Sequence, residues 1–424
     1  MLYLLFGSLF GMMAIGVPIA VALAGSSLLY VWAAGMPDVV VLHRMIGGID
    51  SFPLLAIPFF ILAGNLMNSA LITERIYAFA VAAFGWMRGG LGHVNVVGSV
   101  IFAGMSGTAV ADAGGLGTIE IKAMRDHGYD DRFAVGITAA SSTIGPIIPP
   151  SLPLVIYGVM ANTSVGQLFA AGFIPGLGMA GALMLWVAWI AHRKHYGRDA
   201  RFSTHVLAVT FKQAFLALMT PVILIGGMVS GMFTPTEAAI AAVVYALFLG
   251  FVVYRTLTWD SLVKVSLETI ETTAVILLIV AAASIFGWLL TSARVTEQLT
   301  EWVLGFSKDP VTILILVNLL LLVVGCFLET IAAITILVPV LLPIMTQIGV
   351  DPVQFGIIMV LNLMIGLLTP PVGMVLYILA RVARIPFEEC AKACLPFLVP
   401  LLLVLAVVTF WPAFSLWLPT LVYR

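Results

Sequence analysis

The chain has 424 residues, of which 62% are hydrophobic and only 9% charged, with a formal net charge of −1. Ordinary soluble proteins carry about 25% charged residues, so this chain cannot cover a soluble fold with charge, and its mean hydropathy is +1.15. Those values exclude a soluble enzyme, a disordered scaffold and a nucleic-acid binder, and leave an all-α polytopic membrane protein in contact with the lipid bilayer.

In chain order, the apolar runs predict spans near residues 2–33, 53–70, 133–163, 168–192, 214–230, 235–254, 271–290, 352–383 and 395–418. The first run is long enough for two short crossings, with a break at Gly16-Val17-Pro18. It lacks a basic leader and reads as a retained span rather than a signal peptide. Regions 91–123 and 310–347 are apolar but interrupted midway by Gly, Ser, Thr and a carboxylate, and each reads as a helical hairpin. Segments 71–88 and 294–308 carry charges among apolar residues and read as amphipathic helices along the interface. Residues 34–52 are expected as a loop.

The basic stretch from His192 to Arg198, with Arg201 beyond it, belongs in the cytoplasm by the positive-inside rule. Counting crossings from there also puts Lys122, Arg125 and Arg132 inside, together with Arg255, Lys264, Arg381, Arg384 and Lys392. Gly128 is then cytoplasmic, and Lys308 and Arg424 are periplasmic. Cys326, Cys390 and Cys394 form no paired framework and read as buried thiols.

The two halves repeat. A constant offset of 221 pairs Gly104 with Gly325, Ala111 with Ala332, Ile144-Gly145 with Ile365-Gly366, Pro149-Pro150 with Pro370-Pro371, and Pro175 with Pro396. Five predicted crossings separate the hairpins, so the second enters from the opposite face. The expectation is two inverted halves, 1–213 and 214–424, each with a re-entrant hairpin (91–123, 310–347) and a broken helix (133–163, 352–383). Secondary transporters place their sites at the midplane between such repeats.

The chemistry concentrates at the interruptions. The first tip runs from Gly104 to Asp112, and its partner helix breaks between Ser141 and Ser151 around Gly145, Pro146, Pro149 and Pro150. The second tip runs from Gly325 to Thr330, and its broken helix from Gly366 to Gly373. Proline removes a donor and clashes with the preceding turn. Unwound backbone survives at membrane depth only where protein or a cavity surrounds it. Its carbonyls, with Ser and Thr hydroxyls, are hard ligands for an alkali cation, and half-helix N-termini suit an anion. The bland reading is a set of kinks that relieve packing.

Coordination of an alkali cation is therefore expected at Gly104, Ser106, Thr108, Thr143 and Gly145 in one half, and at Gly325, Glu329, Thr330, Gly366, Thr369 and Gly373 in the other. An anionic substrate is expected near Ser106, Pro150, Ser151 and Thr330. Asp112 and Glu329 lie in apolar surroundings. Each is either a helix cap or paired, protonated or close to a cation, since a bare charge there costs roughly 2.5 kcal/mol or more. Glu237, after Thr234-Pro235-Thr236, reads as a first-turn capping residue. No phosphate loop or HExxH motif is present. The expectation is a transporter with no catalytic residues and no cofactor beyond the coupling ion.

At these segments the chain resembles the large membrane subunit of a TRAP (tripartite ATP-independent periplasmic) transporter, of the DctM or SiaM type. The most specific stretches are Gly104 to Gly117, Gly145 to Tyr157, Phe327-Leu328-Glu329-Thr330, and Asn362 to Gly373. The resemblance implies an elevator-type, sodium-driven importer in the bacterial cytoplasmic (inner) membrane. It also implies two partners, a small membrane subunit on a separate chain and a periplasmic substrate-binding protein. Cargo would be a small organic anion: a C4-dicarboxylate, a sialic acid, another carboxylate or a sulfonate. The family tip often carries Ser or Thr where this chain has Ala109 and Val110, which moves the weight onto Ser106, Thr108 and backbone carbonyls. The competing readings are a self-sufficient sodium:dicarboxylate symporter and a membrane scaffold.

Overall fold

The computed structural model describes residues 1–70, 72–307 and 309–423, apart from the side chains of Ile72, Met105, Ser106, Val229 and Phe306. Lys308 and Arg424, both expected in the periplasm, lie outside the described residues. Helices α1 (Leu2–Ala14), α2 (Ile19–Ala33) and α3 (Val39–Ile49) precede a 3-10 turn (Phe52–Leu55) that runs into α4 (Ala56–Ser69). Then follow α5 (Ile72–Phe84), α6 (Gly90–Ser106), α7 (Ala109–Gly114), α8 (Leu116–Asp126), α9 (Asp131–Ser142), α10 (Leu152–Met160) and α11 (Val165–Arg193). Next come α12 (Thr204–Val229), α13 (Pro235–Phe248) with a π turn at its end (Leu249–Val253), α14 (Trp259–Ser292) and α15 (Val295–Phe306). The chain closes with α16 (Pro310–Phe327), α17 (Thr330–Gln347), α18 (Pro352–Gly366), α19 (Met374–Ala383), α20 (Phe387–Phe410) and α21 (Ala413–Val422).

The protein is thus an all-helical polytopic membrane protein, with eight described helices long and apolar enough to cross a bilayer. Among the described residues the only extended pairing is an isolated bridge between Arg88 and Arg198. Helix starts follow side-chain caps that are visible in the sequence. Asp309 accepts from Val311 N and Thr312 N at the head of α16, and Asp351 from Val353 N at the head of α18, each just before a proline. Thr234 and Glu237 form the reciprocal capping box of α13. A proline at the first helical position loses nothing, because its missing N–H has no intrahelical partner there.

Three expectations are corrected. Residues 34–52 are not a loop throughout, because Val39–Ile49 form α3, packed on α14. The run 395–418 is not one span: α20 ends at Phe410, Trp411 and Pro412 interrupt, and α21 resumes. The span read at 271–290 belongs to a helix of 34 residues beginning at Trp259. At 1.5 Å per residue it is about 50 Å long, well over a hydrocarbon core of about 30 Å.

Helices α1 to α3 pack on the C-terminal half of α14 around Leu5, Leu9, Leu23, Val31, Phe286 and Leu290, a core separate from the main one. The main core encloses the interrupted helices. Within a bilayer, lipid is as apolar as leucine, so close packing and small residues hold helices together. Tyr157 of α10 is fully buried against Phe355 of α18, and its hydroxyl donates to Pro352 O at 2.6 Å. This contact ties one interrupted helix to the head of the other.

At the Gly128 end of the bundle, ion pairs join elements distant in sequence. Arg132 meets Glu389 at 2.6 Å, linking α9 to α20, and Lys194 meets Asp130 at 2.8 Å, linking α11 to the head of α9. Lys194 holds the Asp130 carboxyl below the usual carboxylate range, and Lys392 and Arg132 do the same for Glu389. Both pairs therefore contribute above that range and fade as acid protonates the carboxyls. They are solvent-exposed, so the contribution is small.

Candidate functional site

Each hairpin and each broken helix is interrupted by its own chemistry. In the first hairpin α6 stops at Ser106. Gly107 then takes a left-handed φ of +60°, and a Cβ there would stand 2.6 Å from Pro150 O. Glycine is thus required both by the turn and by the approach of the broken helix. Thr108 caps α7, accepting from Ala111 N at 3.2 Å, and its carbonyl lies against Gly145. The partner helix α9 ends at Ser142 and α10 begins at Leu152. Between them, Thr143 donates to Ala140 O at 2.6 Å, while Ser151 donates to Pro146 O and accepts from Leu154 N at 3.2 Å.

The second half builds its junction more tightly. Gly325 and Gly366 pack backbone on backbone, and a Cβ on Gly366 would stand 2.5 Å from Gly325 C. Thr369 donates to Gly366 O at 2.8 Å and its hydroxyl lies 2.9 Å from Cys326 Sγ. The Cys326 carbonyl accepts from Val372 N at 3.2 Å and from Gly373 N at 3.4 Å. Glu329 caps α17 by accepting from Ile331 N and Ala332 N at 2.9 and 3.2 Å. Thr330 begins α17, is buried, and its hydroxyl has no partner.

These contacts bring together Thr108, Gly145 and Pro150 on one side, and Gly325, Gly366, Thr369 and Gly373 on the other. The two sides also interlock: α7 packs on α19, and α10 packs on α17. Each hairpin therefore meets the broken helix of the other half. Two predicted residues are placed differently from the rest. Gly104 lies within α6 and faces Pro221 of α12. Ser151 is fully buried with its hydroxyl engaged on both sides, so it holds the break rather than facing a cavity. The Ser106 side chain lies outside the described residues.

Asp112 does not cap α7, because Thr108 does; it sits one turn in and is buried, and among the described side chains only Ser99 is near enough to serve its carboxyl. Sequence reasoning missed a polar cluster beside it, in which Asn95 of α6 bonds Glu120 of α8 and Thr138 and Ser141 of α9. The only signal was a glutamate inside an apolar hairpin arm. Among the described residues no group of three or more His, Cys, Asp or Glu could hold a metal ion. Cation binding at the junctions would rest on hydroxyls and carbonyls. A separate cavity of about 500 Å³ lies beyond the end of α10, between Ser51–Pro53, Asn162–Gly166 and Thr234–Thr236.

A solved transporter, YdaH of Alcanivorax borkumensis, described as having an unusual topology, shares this fold with a TM-score of 0.68 at 14% identity, covering 89% of this chain and 88% of that one. The chain is 49% identical to the sialic acid TRAP transporter large permease protein SiaM of Vibrio cholerae, over 98% of each. It is 43% identical to the sialic acid TRAP transporter permease protein SiaT of Haemophilus influenzae, over 96% of this chain and 67% of that one. Residues 6–414 match the family of the DctM component of the tripartite ATP-independent periplasmic transporter. The chain belongs to that family: it is a multi-pass protein of the bacterial inner membrane that transports rather than catalyses.

Proposed function

We propose that this chain is the transport subunit of a sodium-coupled importer of a small carboxylate anion, working with a small membrane subunit and a periplasmic substrate-binding protein. The observation that carries this reading is the pair of interlocked junctions, in which unwound backbone and hydroxyls lie at the heart of an apolar bundle. Such oxygens bind an alkali ion without fixed charge, so the ion can also leave, as a transport cycle requires. Thr108, Thr143 and Gly145 would serve one ion, and Thr330, Gly366, Thr369 and Gly373 another. Cargo would lie near Pro150 and Thr330, between the tips. A sialic acid is the first cargo to test, because the SiaM permease at 49% identity is named for one.

The reading includes two inverted halves moving as an elevator. Asp126 and Gln347 are exposed and stand at the ends of the two hairpins. Cysteine at Asp126 is expected to react only with reagent that reaches the cytoplasm, and cysteine at Gln347 only with periplasmic reagent. Labelling of both from one side contradicts the inversion.

The partner assignment is tested by reconstitution. Proteoliposomes carrying this chain, its small subunit and its binding protein should accumulate sialic acid under an inward sodium gradient, and omission of either partner should abolish uptake. Uptake by the purified chain alone would favour a self-sufficient symporter.

A further inference from the structure

The Asn95 cluster joins the two arms of the first hairpin to the C-terminal end of α9, beside Asp112. Glu120 is 1% exposed, and its Oε2 accepts from Asn95 Nδ2 at 2.6 Å. Among the described residues its Oε1 has no hydrogen-bond partner; it lies against the α6 backbone, where a Cβ on Gly98 would stand 3.0 Å from Oε1 and 3.3 Å from Leu116 Cδ2. Among the described residues neither Glu120 nor Asp112 has an ion-pair partner. A carboxylate charge on Glu120 would therefore be met by one neutral amide, in a region where unpaired charge is costly. An alkali ion does not answer the need, because such an ion wants several oxygens and Oε1 lies against Gly98 of α6. A proton needs only one.

The surrounding bonds close in either protonation state. With the carboxylate, Asn95 Nδ2 donates to Glu120 Oε2 and to Thr138 Oγ1 at 2.8 Å, while Ser141 Oγ donates to Asn95 Oδ1 at 2.6 Å. With the acid, the Asn95 amide turns over. Its oxygen then accepts from the Glu120 hydroxyl and from Thr138 Oγ1, and its Nδ2 donates to Ser141 Oγ. Ser141 in turn donates to Thr138 O, 3.2 Å away. Asparagine carries an acceptor and a donor of nearly equal shape, so the exchange needs no change of backbone.

We infer that Glu120 is a proton-binding site of the first hairpin, with Asn95 as the amide that turns to match its two states. The titratable groups close enough to feel its charge are Asp112 on α7 and Tyr77 on α5. Helices α6 and α9 face it with Asn95, Gly98 and Thr138, and α19 meets α8 through Leu379 beside Gly117. None of the cluster's side chains is among the proposed ion ligands, and the spectroscopic test does not depend on transport.

The test is infrared difference spectroscopy on the full chain in lipid, with pH as the variable and protons as the probe. The difference between wild type and Glu120→Gln should show a protonated-carboxyl C=O band at neutral pH that shifts in heavy water. At alkaline pH it should convert to a carboxylate band. The same bands should persist in Asp112→Asn. Glu120 as a carboxylate at neutral pH, or as an acid unconverted wherever the protein stays folded, overturns the inference. If Glu120→Gln does not yield monodisperse protein, Asn95→Ala replaces it, and the conversion should then move to a different pH; an unmoved conversion counts against the site. In reconstituted uptake, Glu120→Gln should flatten the alkaline limb of the pH profile several-fold, and an unchanged profile also overturns the proposal.

Discussion

Gly366→Ala is expected to destabilise the protein and abolish uptake. The new methyl would stand 2.5 Å from Gly325 C, and backbone has no rotamer with which to give way. Overpacking of this kind costs about 1–3 kcal/mol even where side chains can shift, and here the effect should lie at or above the upper end. Gly325→Ala is the graded control. Its methyl would meet Gly366 Cα at 3.1 Å, so the loss should be smaller and in the same direction. Thermal unfolding in lipid, followed beside uptake, checks the ranking. Wild-type stability in Gly366→Ala would show that the two backbones do not hold this junction.

Thr369→Val should act differently. It keeps volume and branching but removes a hydroxyl that donates to Gly366 O at 2.8 Å and touches Cys326 Sγ at 2.9 Å. Loss of one such hydrogen bond costs about 1 kcal/mol, so folding and assembly should survive. If the hydroxyl oxygen also holds sodium, the sodium needed for half-maximal uptake should rise by about tenfold, equivalent to about 1.4 kcal/mol of binding. Uptake at saturating sodium should recover. An unchanged sodium requirement would remove Thr369 from the ion site and leave it a structural tie.

The parts of the fold most legible in sequence are those governed by local chemistry. Asp309-Pro310, Asp351-Pro352 and Thr234-Pro235 mark helix starts because cap and proline act within one turn. The proline-rich breaks before Ser151 and Gly373 are legible for the same reason. Helix α3 was hidden because Asp38, His43 and Arg44 give 34–52 the polarity of a loop, whereas the helix buries only one narrow face on α14. The end of α20 was hidden because Trp411 and Pro412 interrupt an apolar run without lowering its hydropathy. The Asn95–Glu120 cluster was hidden for a third reason. Its members come from three helices, the partners of Asn95 lying 25 to 46 positions from it, and only the packed bundle brings them together. Among the candidate site residues, Thr108 lies against Gly145 in one half and Thr369 against Gly366 in the other. Ser151 shows the limit of that reasoning: a hydroxyl in the right segment is spent on holding the break.

In the proposed cycle, sodium and an organic anion move through these junctions together. By linkage, an ion that tightens anion binding must itself be tightened by the anion to the same degree. The most direct measurement is paired tracer flux in proteoliposomes carrying this chain with its small subunit and binding protein, with labelled sodium and labelled sialic acid followed in one experiment. Each flux should require the other, at a fixed ratio, and Thr369→Val should shift the sodium dependence of both alike. Sialic acid uptake that persists without sodium and follows a proton gradient instead would contradict it.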